Sequence, residues 1–485
     1  MSLLTLSRWQ FAITVMFHMT FPSITVGTSV LLCVLYGMYW KTSKPVYLQM
    51  FRFWRRIFAV GFAIGIVAGI VVTFEFGLDW GVFAAKAGPI QGPLLGMEVV
   101  TAFFVEAGFI GVLFYGEGRV RPRTMFIATV MVSIGTILSS TWIIANNSWM
   151  QTPSGFVMRD GRFEPSNWLQ VIFSPSFLYR WWHMLTAVFI ASAFFVAGIG
   201  AWYLVKGRVL PFARRSVSIG LGIAAILIPL QLFLGDHVAA IEFAHQPGKA
   251  AAAEGNWTST NSGWMIFAIP DQAAERNYVS LSIPCLGSAI YRDLTCKTQI
   301  PGLDLTPAQD RPLMAPVFWG FRVMFYGAVL IFMTAFFATI ARVRRKLWAS
   351  RRFFKFLMWM TPVGILAILG GWVTAETGRQ PWVVFGYLRT SAAVSHLAPA
   401  ATLFSVIGFC LMYAVMLGAY IWYIVHTMRI GPERDYPDVP PQPQPDQPRL
   451  PQQAPRAVPA AGLLKPGPTS PKLAGPGMAS GEVSA

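Results

Sequence analysis

Two carboxylates, Glu98 and Glu106, lie inside one apolar stretch of this chain, and a third, Glu376, closes another, followed by Arg379. An ionisable group at bilayer depth is costly, so a pair of them in one helix points to binding a cation or moving protons. Helical geometry sets the directions of Glu98 and Glu106 about 80° apart. His18 sits in the first apolar run, between Thr14 and Thr25, with Ser29 further on the same face. Two further runs open with Arg180-Trp-Trp-His183-Met and Phe318-Trp-Gly-Phe-Arg322-Val-Met324. Imidazole and thioether together are the axial pair of a low-spin, electron-transfer haem, the thioether raising its potential. Arg322, two residues from Met324, is placed to pair with a haem propionate. Each residue also has a plainer use. A lone membrane histidine is more often an interhelix hydrogen bond, a methionine is usually filler, and Glu376 with Arg379 can be an interfacial ion pair.

The elements that position these residues are membrane helices. Of 485 residues, 55% are hydrophobic and 12% charged, and the mean hydropathy is +0.52. Charged residues make up about a quarter of an ordinary soluble protein. Apolar runs long enough to span a bilayer recur nine times, near residues 11–40, 53–78, 93–115, 125–145, 181–205, 218–235, 317–340, 360–375 and 402–425. The fold class is an all-α integral membrane protein. The net charge of +17 is confined to short clusters between runs, such as Arg119, Arg121 and Arg123, which excludes a nucleic-acid-binding face. Those clusters follow the first, third, fifth and seventh spans, so the positive-inside rule puts the N-terminus on the periplasmic side and the C-terminus in the cytoplasm. The first run is too long for a cleavable signal and lacks its small-residue site.

By this reading residues 1–235 hold six spans, 236–311 an external loop, 312–430 three more spans, and 431–485 a Pro-rich tail too poor in apolar residues to fold. Pro22, one turn after His18, should kink the first span and free a carbonyl. Gly378 and Pro381 should stop the helix just after Glu376. Cys285 and Cys296 face an oxidising compartment, where either a disulfide or two free thiols is open. Topology sets Glu98, His183, Met324 and Glu376 near the outer ends of their spans, with His18 somewhat deeper. Scattered core residues need not share a level, whereas the ligands of a shared set of cofactors must.

With Ser7-Arg8-Trp-Gln-Phe, Gly96-Met-Glu98, Trp149-Met-Gln151, Gly235-Asp-His237, Gln246-Pro-Gly-Lys249 through Glu254, Phe321-Arg322-Val-Met324 and Gly371–Trp382, the chain resembles subunit I of cytochrome bd-type quinol oxidases over residues 1 to about 430. The short external loop is similar to the short-loop group, which includes the cyanide-insensitive oxidases. The resemblance implies a respiratory terminal oxidase that oxidises ubiquinol and reduces O2 to water, separating charge without a proton pump. It implies a low-spin haem b on His183 and Met324, a high-spin haem b on Glu376, and haem d (or a haem b in its place) on His18, the last two being exchangeable. Glu98 would sit beside the oxygen-binding haem, with Glu106 and Ser139 on the proton route. Arg8 and Arg379 would contact propionates, Trp372 would lie between haems, and Lys249 and Glu254 would hold and deprotonate the quinol. Partners would be subunit II, a small single-helix subunit and membrane lipid. The rival class is a secondary transporter using Glu98, Glu106 and Glu376 as a cation path; it explains the carboxylates but not the His–Met pair.

Overall fold

The computed structural model describes residues 2–259, 263–287 and 300–435. Among them are nine helical segments long and apolar enough to cross a membrane. The first is broken. Helix α1 (Leu3–Thr20) stops and α2 (Pro22–Thr42) resumes, because Pro22 has no N–H to offer the His18 carbonyl. That carbonyl accepts instead from the Phe21 N–H at 3.1 Å, so the expected kink forms without leaving an orphan.

Next come α3 (Pro45–Leu78), α4 (Gly81–Glu98), a π-helical turn (Val99–Phe103), α5 (Phe104–Tyr115) and α6 (Pro122–Gln151). The third span therefore starts twelve residues before the expected 93, since Pro89 and Pro93 are absorbed inside α4. Helices α7 (Phe177–Lys206) and α8 (Leu210–His245) follow; the first ten residues of the expected external loop, 236–245, are a continuation of α8. Beyond α9 (Pro247–Glu254) lie α10 (Met314–Val343), α11 (Arg351–Trp359), α12 (Val363–Arg379) and α13 (Pro399–Ile430).

All three hairpins fall at the same end of the spans. They are β1 (Phe156–Arg159) with β2 (Arg162–Pro165), β3 (Trp264–Asp271) with β4 (Arg276–Ile283), and β5 (Trp382–Val384) with β6 (Leu388–Arg389), each pair antiparallel. We call this the hairpin face; the arginine clusters lie at the other end. Cys285 is disulfide-bonded, and its expected partner Cys296 lies outside the described residues, as does the tail from 436.

Helices α10 and α12 pack backbone to backbone. A side chain at Gly320 would meet the Gly370 carbonyl at 2.8 Å, and one at Gly371 would meet the Met324 sulfur at 2.7 Å. Small residues permit this approach, which lipid-embedded helices need because no hydrophobic effect drives them together. It fixes Met324 against the turn of α12 that carries Trp372 and, four residues on, Glu376.

Candidate functional site

Helix α6 acts as a ruler for the site. At Gly135 its backbone lies against Glu106, whose Cδ is 3.4 Å from where a Cβ would stand. One turn on, Ser139 donates to Glu98 Oε1 at 2.7 Å. Two further turns on, about 12 Å along the axis, Asn147 Nδ2 donates to Glu376 Oε1 at 2.9 Å and Gln151 Nε2 to the same oxygen at 3.2 Å. Three carboxylates from two other spans thus meet three turns of one helix.

Glu98 and Glu106 do not diverge as an ideal helix requires. The π turn between them closes i to i+5 and absorbs one residue, which returns Glu106 to the same face. The expected separation of about 80° is therefore replaced by a shared direction, toward α6. A π turn is not visible in hydrophobic periodicity, since both sides of it are apolar.

Glu376 is the centre of a charged cluster. Its Oε2 pairs with Arg379 one turn later, as the plainer reading expected. Arg180 donates to Asn147 Oδ1 at 2.6 Å and Ser148 Oγ at 3.1 Å. Lys249 Nζ pairs with Glu242 Oε1 at 2.7 Å and reaches Gln151 Oε1 at 3.3 Å and Gln246 Oε1 at 3.2 Å. Burial pulls the Lys249 ammonium below the ordinary lysine range, with Glu242 opposing. The helix α12 runs through Gly378 to Arg379, so Gly378 is no stop. A Cβ there would meet the Lys249 stem, which needs that space. The sequence reading missed Asn147, Arg180 and Glu242 as members of this cluster. The signal was an amide pair, Asn146-Asn147, inside an apolar run.

Removing one partner of a buried pair strands the other charge, at a cost of about 3–5 kcal/mol. Because the Lys249 side chain is 1% exposed, Lys249→Ala should lower thermal stability in detergent by about that much, and Lys249→Ala with Glu242→Gln by clearly less. Equal losses in both would mean that the pair contributes nothing.

Lys249 and Glu254 were expected together at a quinol; the structure separates them. Five residues on a helix rotate a side chain by about 140°, so Lys249 turns to Glu242 and Glu254 turns to Arg322, whose Nη2 is 3.8 Å from Glu254 Oε2. Arg322 is fully buried between the Trp264 ring at 4.5 Å and the Phe318 ring at 4.3 Å. Its Nε and Nη1 donate to the Met265 and Ala253 carbonyls at 2.9 and 3.0 Å. The expected propionate partner is thus engaged by α9 and β3. Burial raises the Glu254 carboxyl, and the Arg322 cation opposes that rise.

The remaining candidates have other hydrogen-bond neighbours. His18 Nδ1 is 3.1 Å from the Gly65 carbonyl. Both ring nitrogens of His183 lie near Gln231 Nε2, at 3.2 and 3.3 Å. Gln231, unforeseen, orients that imidazole. Arg8 on α1 and Trp372 on α12 are partly exposed.

Do these residues fit haem? His18, His183 and Met324 each lie against a glycine of the facing helix, at Gly69, Gly235 and Gly371, so no Cβ crowds them from that side. The Arg379 Nε and Nη1 are buried without an acceptor, two donors that a propionate would take. Imidazole and thioether are haem-iron donors, and carboxylate is an iron donor in non-haem sites. The donor set fits.

Residues 6–432 match the family model described as cytochrome bd terminal oxidase subunit I. The chain is 30% identical over 508 residues to the cytochrome bd-II ubiquinol oxidase subunit 1 of Escherichia coli (strain K12), covering 90% of this chain and 99% of that one. It is 31% identical over 455 residues to the cytochrome bd ubiquinol oxidase subunit 1 of Bacillus subtilis (strain 168), covering 91% and 97%. Among solved structures it is similar to the bd oxidase from Geobacillus thermodenitrificans, with a TM-score of 0.81 and 27% identity over 88% of this chain and 98% of that one. The transporter alternative finds no support in these likenesses. A match through nearly every span, over a site whose donors suit haem, has one conclusion: the chain belongs to the cytochrome bd terminal oxidase subunit I family.

Proposed function

We propose that His183 and Met324 hold a low-spin haem b, that Glu376 and His18 hold a high-spin haem b and a haem d (or a second haem b), and that quinol is oxidised beside Glu254. The enzyme itself is a quinol:O2 oxidoreductase, a haem-carrying terminal oxidase of the bacterial inner membrane that works in a complex with other subunits. We take the hairpin face as periplasmic, from the alternation of basic loops. Subunit II and a small single-helix subunit are the partners this reading implies, and ubiquinol its substrate. Residues 236–311 would form the quinol-binding region, although its first turns belong to α8.

Bound haem supplies the electron relay and the iron on which O2 becomes water. The chain's own residues do the proton work. Glu254 Oε takes a proton from the quinol hydroxyl, and Arg322 beside it favours the carboxylate that can do so. Released protons leave at the hairpin face. For oxygen reduction, Glu106 passes a proton toward Glu98, which Ser139 holds by its hydroxyl. Arg8 and Arg379 would neutralise propionates. If these protons come from the opposite face, charge separates across the membrane without a pump.

The observation that carries this reading is the ladder along α6, whose turns at Gly135, Ser139 and Asn147 meet Glu106, Glu98 and Glu376. The test is the purified complex, assayed for quinol-driven O2 uptake and for reduced-minus-oxidised haem bands with haemochrome typing. Three haems and O2 uptake are expected. Glu106→Gln should abolish the membrane potential in proteoliposomes; an intact potential and turnover would defeat the proton route.

A further inference from the structure

Between His18 and the hairpin face, α1 presents Thr14, Gln10 and Ser7 on one face, at 0%, 1% and 0% exposure. Opposite them stand Glu75 in the last turn of α3 and Asp79 just past its end, both 1% exposed and one turn apart. Thr14 Oγ1 donates to Glu75 Oε1 at 3.2 Å. Beyond that bond the cluster is short of partners. Glu75 Oε2, Asp79 Oδ2, both amide atoms of Gln10, the Ser7 hydroxyl and the Tyr413 hydroxyl of α13 are buried without a hydrogen bond. The Gln10 amide lies beside Glu75 without closing a hydrogen bond on it.

Buried polar atoms are almost always satisfied, and a group of them in one place calls for an explanation. Packing does not supply one, because an apolar pair would be cheaper than two carboxylates. Neither Glu75 nor Asp79 forms an ion pair among the described residues. The other titratable groups on α1, α4 and α13 near this end are Arg8, His18, Lys86, Glu98 and Tyr413. Two full negative charges one turn apart in a dry site repel, so one carboxyl keeps a proton. Burial pushes the Asp79 carboxyl up to about 6, in accord with that.

We propose that Glu75 and Asp79 are a carboxyl pair on the hairpin-face side of the His18 pocket that takes up one proton when an electron enters that pocket and releases it when the electron leaves. Only O–H bonds are made and broken. The proton comes from water at the hairpin face along Ser7, Gln10 and Thr14, and returns the same way. Its charge offsets the added electron in a low-dielectric region, where an uncompensated charge is costly. The proposal rests on the reading of His18 as a haem ligand, and its role is distinct from the Glu98–Glu106 route, which delivers consumed protons.

The test is redox-difference infrared spectroscopy of the intact complex. A carboxylic C=O band that shifts in deuterium oxide should be lost in Glu75→Gln and moved in Asp79→Asn, with haem optical bands unchanged in both. Difference spectra of both variants that superimpose on the parent in the carboxyl region would overturn the proposal. His18→Ala separates the two readings. Parent-like haem content there defeats the ligand assignment, while the carboxyl bands still decide the pair.

Discussion

Met324→Leu is expected to abolish the low-spin haem bands and to cut quinol oxidation by more than about 100-fold, while the high-spin bands remain. Leucine keeps the volume and apolar character of methionine, so packing against Gly371 survives. It loses only the sulfur that can bind iron. Perturbing even the outer partners of a metal ligand typically costs about 10–100-fold, and removing a ligand itself should exceed that. Gly371→Val provides a second route to the same result without touching the ligand. A side chain there stands 2.7 Å from the Met324 sulfur and must push it aside. His183→Ala should reproduce the spectral loss from the opposite ligand, since it removes the imidazole that Gln231 Nε2 orients. Low-spin bands of parental intensity in both Met324→Leu and His183→Ala would defeat the assignment of this haem.

Much of the frame was legible because membrane helices announce themselves by apolar length. The nine spans and the break at Pro22 follow from runs of hydrophobic residues and from a missing N–H. What periodicity does not carry is the identity of partners. That Glu98 and Glu106 point the same way depends on a π turn, and nothing in Val99–Phe103 distinguishes a π turn from an α turn. The separation of Lys249 from Glu254 needed only helical arithmetic, but which carboxylate each would meet depends on α8 running on to present Glu242 and on α10 burying Arg322. Gly378 reads as a helix stop in sequence, and serves as a slot for a lysine from another segment. Amides such as Asn147, Gln151 and Gln231 were the missed signals. In an apolar helix each must find a partner, and here the partners are the candidate ligands and their neighbours.

Glu254→Gln is expected to lower quinol oxidation by about 10²–10⁴-fold, the usual worth of a positioned general base, with the haem spectrum unchanged. The pH profile gives the sharper test, because its sign is fixed by the surroundings. A base works when ionised, so activity is lost as pH falls through the pKa of Glu254. Burial raises that pKa above the ordinary glutamate range, which places the acid limb of the profile higher than a free carboxyl would. Arg322 holds it down from 3.8 Å. Replacing that cation by a shorter neutral residue, Arg322→Gln, should therefore move the acid limb to higher pH. It should also loosen α9 and β3 from α10, since the Ala253 and Met265 carbonyls lose their donors. Arg322→Lys keeps the charge and loses the fork, so it should loosen the loop while leaving the acid limb nearly in place. The pair of variants separates electrostatics from anchoring. Were the acid limb to stay put in Arg322→Gln, or were Glu254→Gln to turn over quinol at the parental rate, the base would have to be sought elsewhere on the hairpin face.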